Sequence, residues 1–284
     1  MKFSSLLTRS VMMSKIQNDA YYTPKELAFT LCRKTIEIIG DKNIYDVIEP
    51  SAGCGAFSDF FEECESYDID PKRDYIVKAD FLTVPLIYRK GRLFIGNPPF
   101  GYRNNLAIKF YNRCCELGDY VAFVLPISQL NNNLQFYRFD LIYSCDLGVI
   151  EYSGVPLHCC FNIYKRPESG KFNPKPDVTL KDVTIIEHRR KTGDYATAQN
   201  KTIAPNFDYA MCNWGSGCLG KVPDYIGQYA QEVYFYCHNT KYRDKLLDIL
   251  QPDKIRDYVK SISAKKISVA KLYIYIKENI PELR

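Results

Sequence analysis

The sequence predicts an α/β protein with a doubly wound, mostly parallel sheet, joined to a smaller C-terminal α+β domain. Three observations support this. Short β-branched runs alternate with amphipathic segments through residues 16–166, the pattern that covers both faces of a parallel sheet with helices. A stretch rich in Pro, Gly, Ser and Lys, "RPESGKFNPKPD", then interrupts the alternation, as a linker does. The charge also changes there. Residues 1–164 hold 17 Lys and Arg against 19 Asp and Glu, a balance of −2, whereas residues 165–284 hold 21 against 14, a balance of +7. The expected boundaries are a loose leader at 1–15, a first domain at 16–166, a linker at 167–177 and a second domain at 178–284.

In chain order, "YYTPKELAFTLCRKTIEIIG" (21–40) reads as a helix. Thr23 is placed to cap it, Pro24 to occupy the first helical position, Glu26 to complete a capping box and Gly40 to stop it. "IYDVIE" (44–49) is a short strand, followed by a glycine-containing turn and the apolar "AFSDFFEEC", read as a helix that offers N–H groups to a ligand. "ESYDID" and "DYIVKADF" contain the ends of two more strands and "RLFIGN" (92–97) is a fourth. "NNLAIKFYNRCCEL" is a helix and "YVAFVLP" (120–126) a fifth strand, with "LGVIEY" and "CCFNIYKR" completing the sheet. In the second domain "DVTIIEHRRK" and "EVYFYC" read as strands, and two helical segments end the chain. Trp214, the sole tryptophan, reads as a core residue.

Composition narrows the function classes. Hydrophobic residues make up 46% and charged residues 25% of the 284, ordinary for a globular chain. No apolar run approaches the roughly 18–20 residues of a membrane span. The opening "MKFSSLLTRSVMM" is broken by Ser, Thr and Arg9, unlike a signal peptide. Eleven cysteines include two adjacent pairs but no C-x-x-C, and the three histidines stand apart. No metal site is expected, therefore, and the thiols read as reduced and buried, in a reducing intracellular compartment: cytoplasm or nucleoid, or a nucleus or viral factory.

Four strand ends carry chemistry. "EPSAGCG" (49–55) places Gly53 and Gly55 where the chain can turn tightly and approach a ligand. A third glycine of the dinucleotide fingerprint is missing, since position 58 is serine. "YDID" sets Asp68 where it can accept from a ribose diol. "ADF" sets Asp80 and Phe81 beside a flat ring. "NPPF" (97–100) makes a stiff elbow, because adjacent prolines have fixed φ and no N–H. Such an elbow suits an amine substrate: the Asn97 side-chain oxygen and the Pro98 carbonyl accept its two hydrogens, and Phe100 offers a face for stacking.

The ordered set "YYTP", "EPSAGCG", "YDID", "ADF", "NPPF" resembles the S-adenosylmethionine-dependent adenine-N6 DNA methyltransferases of the gamma type. The resemblance covers about residues 20–166. It implies a Rossmann-like methyltransferase sheet followed by a target-recognition domain. S-adenosyl-L-methionine is the implied cofactor, S-adenosyl-L-homocysteine the product, and a flipped-out adenine in double-stranded DNA the substrate. It puts methionine-side contacts on Tyr22, Thr23 and Pro24 and on the turn with Glu49, Pro50, Ser51, Gly53 and Gly55. The ribose falls on Asp68, the adenine of the cofactor on Ile69, Asp80 and Phe81, and catalysis on Asn97, Pro98, Pro99 and Phe100. Phosphate contacts fall on Arg189, Arg190, Lys191, Lys265 and Lys266. Members flip the base against a second aromatic, for which Tyr152 and His158 are the candidates here. A monomer is implied, with a cognate restriction endonuclease as one partner and no membrane association. Three alternatives stay open: an RNA adenine methyltransferase, a protein-glutamine methyltransferase, and an inactive nucleic-acid-binding protein of the same fold. The absence of a Pro-Cys pair argues against cytosine-C5 chemistry.

Overall fold

The computed structural model describes residues 22–152, 155–189, 206–215, 217–261 and 266–283. The expected leader at 1–15, Tyr21, Arg190, Lys191 and Lys265 lie outside the described residues. The chain divides into two compact units at Lys175/Pro176, within the stretch read as a linker.

The first unit is built on seven strands: β1 (Asp46–Glu49), β2 (Glu65–Asp68), β3 (Val77–Lys78), β4 (Arg92–Gly96), β5 (Tyr120–Pro126), β6 (Asp140–Tyr152) and β7 (Val155–Lys165). Their order is β3-β2-β1-β4-β5-β7-β6. The first five pair in parallel, and β7 runs antiparallel to both β5 and β6. This is the mostly parallel, Rossmann-like sheet expected, extended by an antiparallel hairpin. Two helices flank it, α1 (Lys25–Ile39) and α2 (Asn105–Leu117).

Strand parity explains the layering, because alternate side chains leave opposite faces of a strand. Leu93, Ile95, Ala122, Val124, Phe161 and Ile163 pack on the α1 side with Ala28, Leu31 and Phe57. Phe94, Val121, Phe123, Leu125 and Tyr164 pack on the other side with Phe110, Tyr111 and Cys114 of α2. Strands buried on both faces read as continuous apolar runs, as "RLFIG" and "YVAFVLP" do.

Three local expectations are corrected. Thr23 does not cap α1: Pro24 holds the cap position without a side-chain hydrogen bond, because the Thr23 hydroxyl accepts from Asn97 Nδ2 instead, at 3.3 Å. The segment after the glycine turn is not an α-helix but turns and one 3₁₀ turn, Ser58–Phe60. Its Phe57, Phe60 and Phe61 stand at the i, i+3, i+4 spacing of a helix face and all pack on the α1 side, yet no α-helix forms there. The stretch beginning at Pro167 is not free of the first unit, since Phe172 packs on Phe139 with centroids 6.1 Å apart and Asn173 bonds Asp140 at 2.8 Å.

The second unit contains β8 (Val183–Arg189), β9 (Tyr209–Cys212) and β10 (Gln231–Cys237), paired antiparallel in the order β8-β10-β9. Helices α3 (Arg243–Ile249), α4 (Pro252–Ser261) and α5 (Val269–Asn279) complete it, one more than expected. Its core joins Val183, Ile185, Val233 and Phe235 of the sheet to Leu246, Leu272 and Ile276. Trp214 is not part of that core. It is 49% exposed and its backbone bridges Lys266.

Candidate active site

In an open parallel sheet ligands bind beyond the carboxyl ends of the strands, where the strand order reverses. Here β1 and β4 are neighbours at that reversal, and the ends of β1 to β4 deliver Glu49, Asp68, Asp80 and Asn97 to one cavity. Its volume is about 280 Å³. The wall includes Tyr22, Thr23, Glu49, Pro50, Ser51, Gly53, Asp68, Ile69, Asp70, Asp80, Phe81, Asn97 and Pro99.

Hydrogen bonds tie the sequence motifs together. Ser51 Oγ donates to the Asn97 carbonyl at 3.2 Å, and the Asn97 amide donates to Thr23. Residues 23, 51 and 97 thus form one bonded junction from three distant segments. Gly53 donates its N–H to Asp68 Oδ2 at 2.7 Å, and Asp70 donates to Oδ1 at 2.8 Å. Each carboxylate oxygen has two acceptor sites, so Asp68 keeps capacity for a diol while its orientation is fixed. Asp80 Oδ1 accepts from the Leu82 N–H at 3.0 Å, which aims that side chain in the same way.

Gly53 has φ +52°, and a Cβ there would lie 2.7 Å from Tyr22 Cε1. The turn therefore needs glycine both for its left-handed backbone and for the Tyr22 ring lying against it. Gly55 and Pro24, predicted at the site, are not among the cavity-lining residues. Gly55 instead shapes the turn under Tyr75.

Charge is the site's distinguishing property. Four carboxylates, Glu49, Asp68, Asp70 and Asp80, line the cavity, and no Lys, Arg or His does so among the described residues. Lys72 bonds Asp70 at the edge. Burial pushes the Glu49 carboxyl up to about 8, even though the Ser58 N–H donates to it at 2.8 Å. An uncompensated buried carboxyl prefers to be neutral, and a cationic ligand would reverse that preference.

The structure separates the ring residues. Ile69 is 55% exposed at the cavity, available to a flat ligand. Phe81 lines the cavity but belongs to the core, stacked on Phe110 at 5.7 Å and edge-on to Phe94. Pro99 lines the cavity, whereas Pro98 is buried behind it and Phe100 packs, half-buried, on the α1 side.

Tyr152 is corrected: it is 1% exposed and cannot stack on an incoming base. β6 turns it inward with Ile150, and its hydroxyl shares hydrogen bonds with Thr23 and Asn97. Burial raises that hydroxyl far above the usual tyrosine range. Tyr152 is thus a buttress of the Asn97 junction, a role the sequence reading missed. The buried spacing of Ile150 and Tyr152 on one strand face was the available signal. His158 is exposed and bonds Asp146 at 2.7 Å across the β6–β7 hairpin, away from the cavity lining.

Of the predicted phosphate contacts within the described residues, neither is a free cation. Arg189 and Lys266 both bond Glu187, at 2.7 and 2.8 Å, and Lys266 also bonds Gln231. Burial alone would raise Glu187, but Lys266, Asn213 and Arg189 hold it below the usual range.

No protein-family model matches the chain, and no curated protein matches it. Solved structures similar to parts of it include a Thermoplasma acidophilum protein (18% identity, TM-score 0.41, covering 56% of this chain and 95% of that one). A presumed RNA methyltransferase of Pyrococcus horikoshii shares 17% identity at a TM-score of 0.40, over 55% and 96% of the two chains. The 23S rRNA methyltransferase ErmE shares 16% identity at a TM-score of 0.38, over 52% and 70%. Likenesses at this level leave the assignment of function to the geometry of the site.

Proposed function

We propose that the chain is an S-adenosylmethionine-dependent methyltransferase acting on adenine N6 in DNA. The observation that carries this reading is the acidic cavity ending at the Asn97 elbow. A dinucleotide would place a pyrophosphate among four carboxylates, with no Lys, Arg or His lining the cavity among the described residues, whereas S-adenosylmethionine carries a sulfonium and an ammonium. The donor set also fits the rest of that molecule. Asp68, already oriented by two backbone N–H groups, suits a ribose diol, and Ile69 and Phe81 suit an adenine edge and face. Glu49 and the Gly53 turn, roofed by Tyr22, would hold the methionine end.

When bound, the cofactor supplies a methyl group on positively charged sulfur, ready for in-line displacement. An exocyclic adenine amine is a poor nucleophile because its lone pair is conjugated with the ring. Asn97 and the Pro98 carbonyl answer this by accepting the amine hydrogens and favouring a pyramidal nitrogen. Thr23, Ser51 and Tyr152 hold Asn97 in place, so most of the rate comes from orientation and from acceptors complementary to charge developing on nitrogen. Reaching a duplex base requires flipping it, at a cost of a few kcal/mol.

The direct test supplies methyl-labelled S-adenosylmethionine to the purified protein with mixed-sequence duplex DNA, total RNA and a protein extract. The expected result is label in DNA, recovered after digestion as N6-methyladenosine's deoxy form. Label confined to RNA or to protein would contradict the DNA assignment.

A further inference from the structure

The loop after the elbow, residues 100–105, joins two cavity-lining residues, Pro99 and Leu106. Its outermost side chain is Tyr102, 75% exposed, the most exposed large apolar side chain among the described residues. Arg103 lies over its ring, with the guanidinium carbon 5.0 Å from the centroid. What sets this ring apart from other exposed tyrosines such as Tyr45 is its place beside the cavity-lining Pro99 and its pairing with a guanidinium, and an aromatic face beside a cation suits stacked bases beside phosphates.

The loop is also held rigidly. Arg103 and Asn104 are consecutive non-glycine residues with positive φ, +54° and +64°. Gly101 at φ +67° precedes them, where a Cβ would lie 2.4 Å from Asn105 Oδ1. Strain of this kind persists only where surrounding bonds over-determine it. Gln135 supplies them: its Oε1 accepts from Asn104 Nδ2 and Gln129 Nε2, each at 3.0 Å, and its Nε2 donates to the Arg103 carbonyl at 3.4 Å. The Leu106 N–H closes the base of the loop on the Phe100 carbonyl at 3.2 Å. The result is a fixed finger at the mouth of the site, with an aromatic ring and a guanidinium at its tip.

We infer that Tyr102, backed by Arg103, inserts into duplex DNA and fills the gap left in the base stack when the target adenine turns out toward Asn97. This rests on the proposed DNA methylation. Flipping removes one base from the stack, and a rigid exposed ring beside the acceptor elbow stands where the replacement is needed. Arg103 keeps the ring oriented and brings a positive charge to the adjoining phosphates.

The experiment compares wild type, Tyr102→Ala and Tyr102→Phe on two short duplexes carrying the motif mapped by long-read sequencing. In one duplex the target adenine is paired with thymine, and in the other it faces an abasic site and is already unpaired. Tyr102→Ala should lower kcat/KM on the paired duplex by about 10- to 100-fold, the scale of one lost base–aromatic stack. It should stay within about threefold of wild type on the abasic duplex, where flipping costs least. Tyr102→Phe, which keeps the ring, should recover most of the paired-duplex activity, and calorimetric affinity for S-adenosylmethionine should match wild type in all three proteins. Equal losses on both duplexes, or no loss on either, would overturn the plug. A wild-type protein that methylates neither duplex overturns the DNA reading, and the plug with it.

Discussion

Asn97 is where three distant segments meet: its carbonyl accepts from Ser51, its amide donates to Thr23, and the Tyr152 hydroxyl stands beside it. Asn97→Ala should cut turnover by about 10²–10³, the effect of removing one transition-state hydrogen bond, with cofactor affinity within a few-fold. Asp68→Ala should do the reverse, weakening cofactor binding and leaving turnover at saturation largely intact, because a ribose contact is equal in ground and transition states. Single-turnover kinetics beside calorimetry separates the two, and a fully active Asn97→Ala protein would remove the elbow from catalysis. Glu49 makes a pH prediction. Its carboxyl rises from 4.5 to about 8 in the folded protein, so the neutral form is favoured at pH 7. A cationic ligand favours the carboxylate, and binding below pH 8 should therefore release a proton, with affinity rising between about pH 5 and pH 8. Stability without ligand runs the other way: the contribution is complete below 4.5 and is lost as pH rises through 8. Calorimetry in buffers of different ionisation enthalpy reads the proton; pH-independent affinity and no proton release would contradict it. Glu49 and Asn97 were legible because each follows an apolar strand run, and Asp68 and Asp80 because each stands in a short motif in chain order between them. Tyr152 was not, because its role depends on which face of β6 turns inward.

At the scale of elements, the strands β1, β4 and β5 and helix α2 could be read closely from their apolar runs and stop signals, since burial on both faces leaves no polar alternation to confuse. The segment after the glycine turn misled because Phe57, Phe60 and Phe61 carry helical spacing, yet only one 3₁₀ turn forms there and packing on the α1 side decides its shape. Thr23 misled for a related reason: a hydroxyl near a helix start usually caps it, but here a buried amide competes for it. The turn between β1 and β2 is the element most sensitive to change. Gly53→Ala places a Cβ 2.7 Å from the Tyr22 ring at φ +52°, a backbone region costing roughly 1–2 kcal/mol for a non-glycine residue. Since Tyr22 is partly exposed, the ring should move outward and open the cavity. Cofactor affinity should fall at least about tenfold, as a lost contact of about 1.4 kcal/mol implies, while the melting temperature drops by only a few degrees. An unchanged affinity would show that the Tyr22 roof is not part of the binding surface.

The chain folds as two units, each with its own core. The change in composition and charge near residue 166 made that division legible, and the basic residues beyond it were legible too, but the pairing of Arg189 and Lys266 with Glu187 was not, because it depends on how the second unit folds. A fragment of residues 1–175 should bind S-adenosylmethionine and lose site-specific methylation; methylation of the same motif at the full-length rate would assign recognition to the first unit. Methylation of adenine in DNA at the acidic cavity and the Asn97 elbow is tested by long-read sequencing of DNA from cells expressing the wild-type chain or Asn97→Ala. N6-methyladenine concentrated in one short motif with the wild-type chain, and absent with Asn97→Ala, is the result expected. Unmodified DNA from cells making folded, cofactor-binding wild-type protein, or equal modification by both chains, would contradict it.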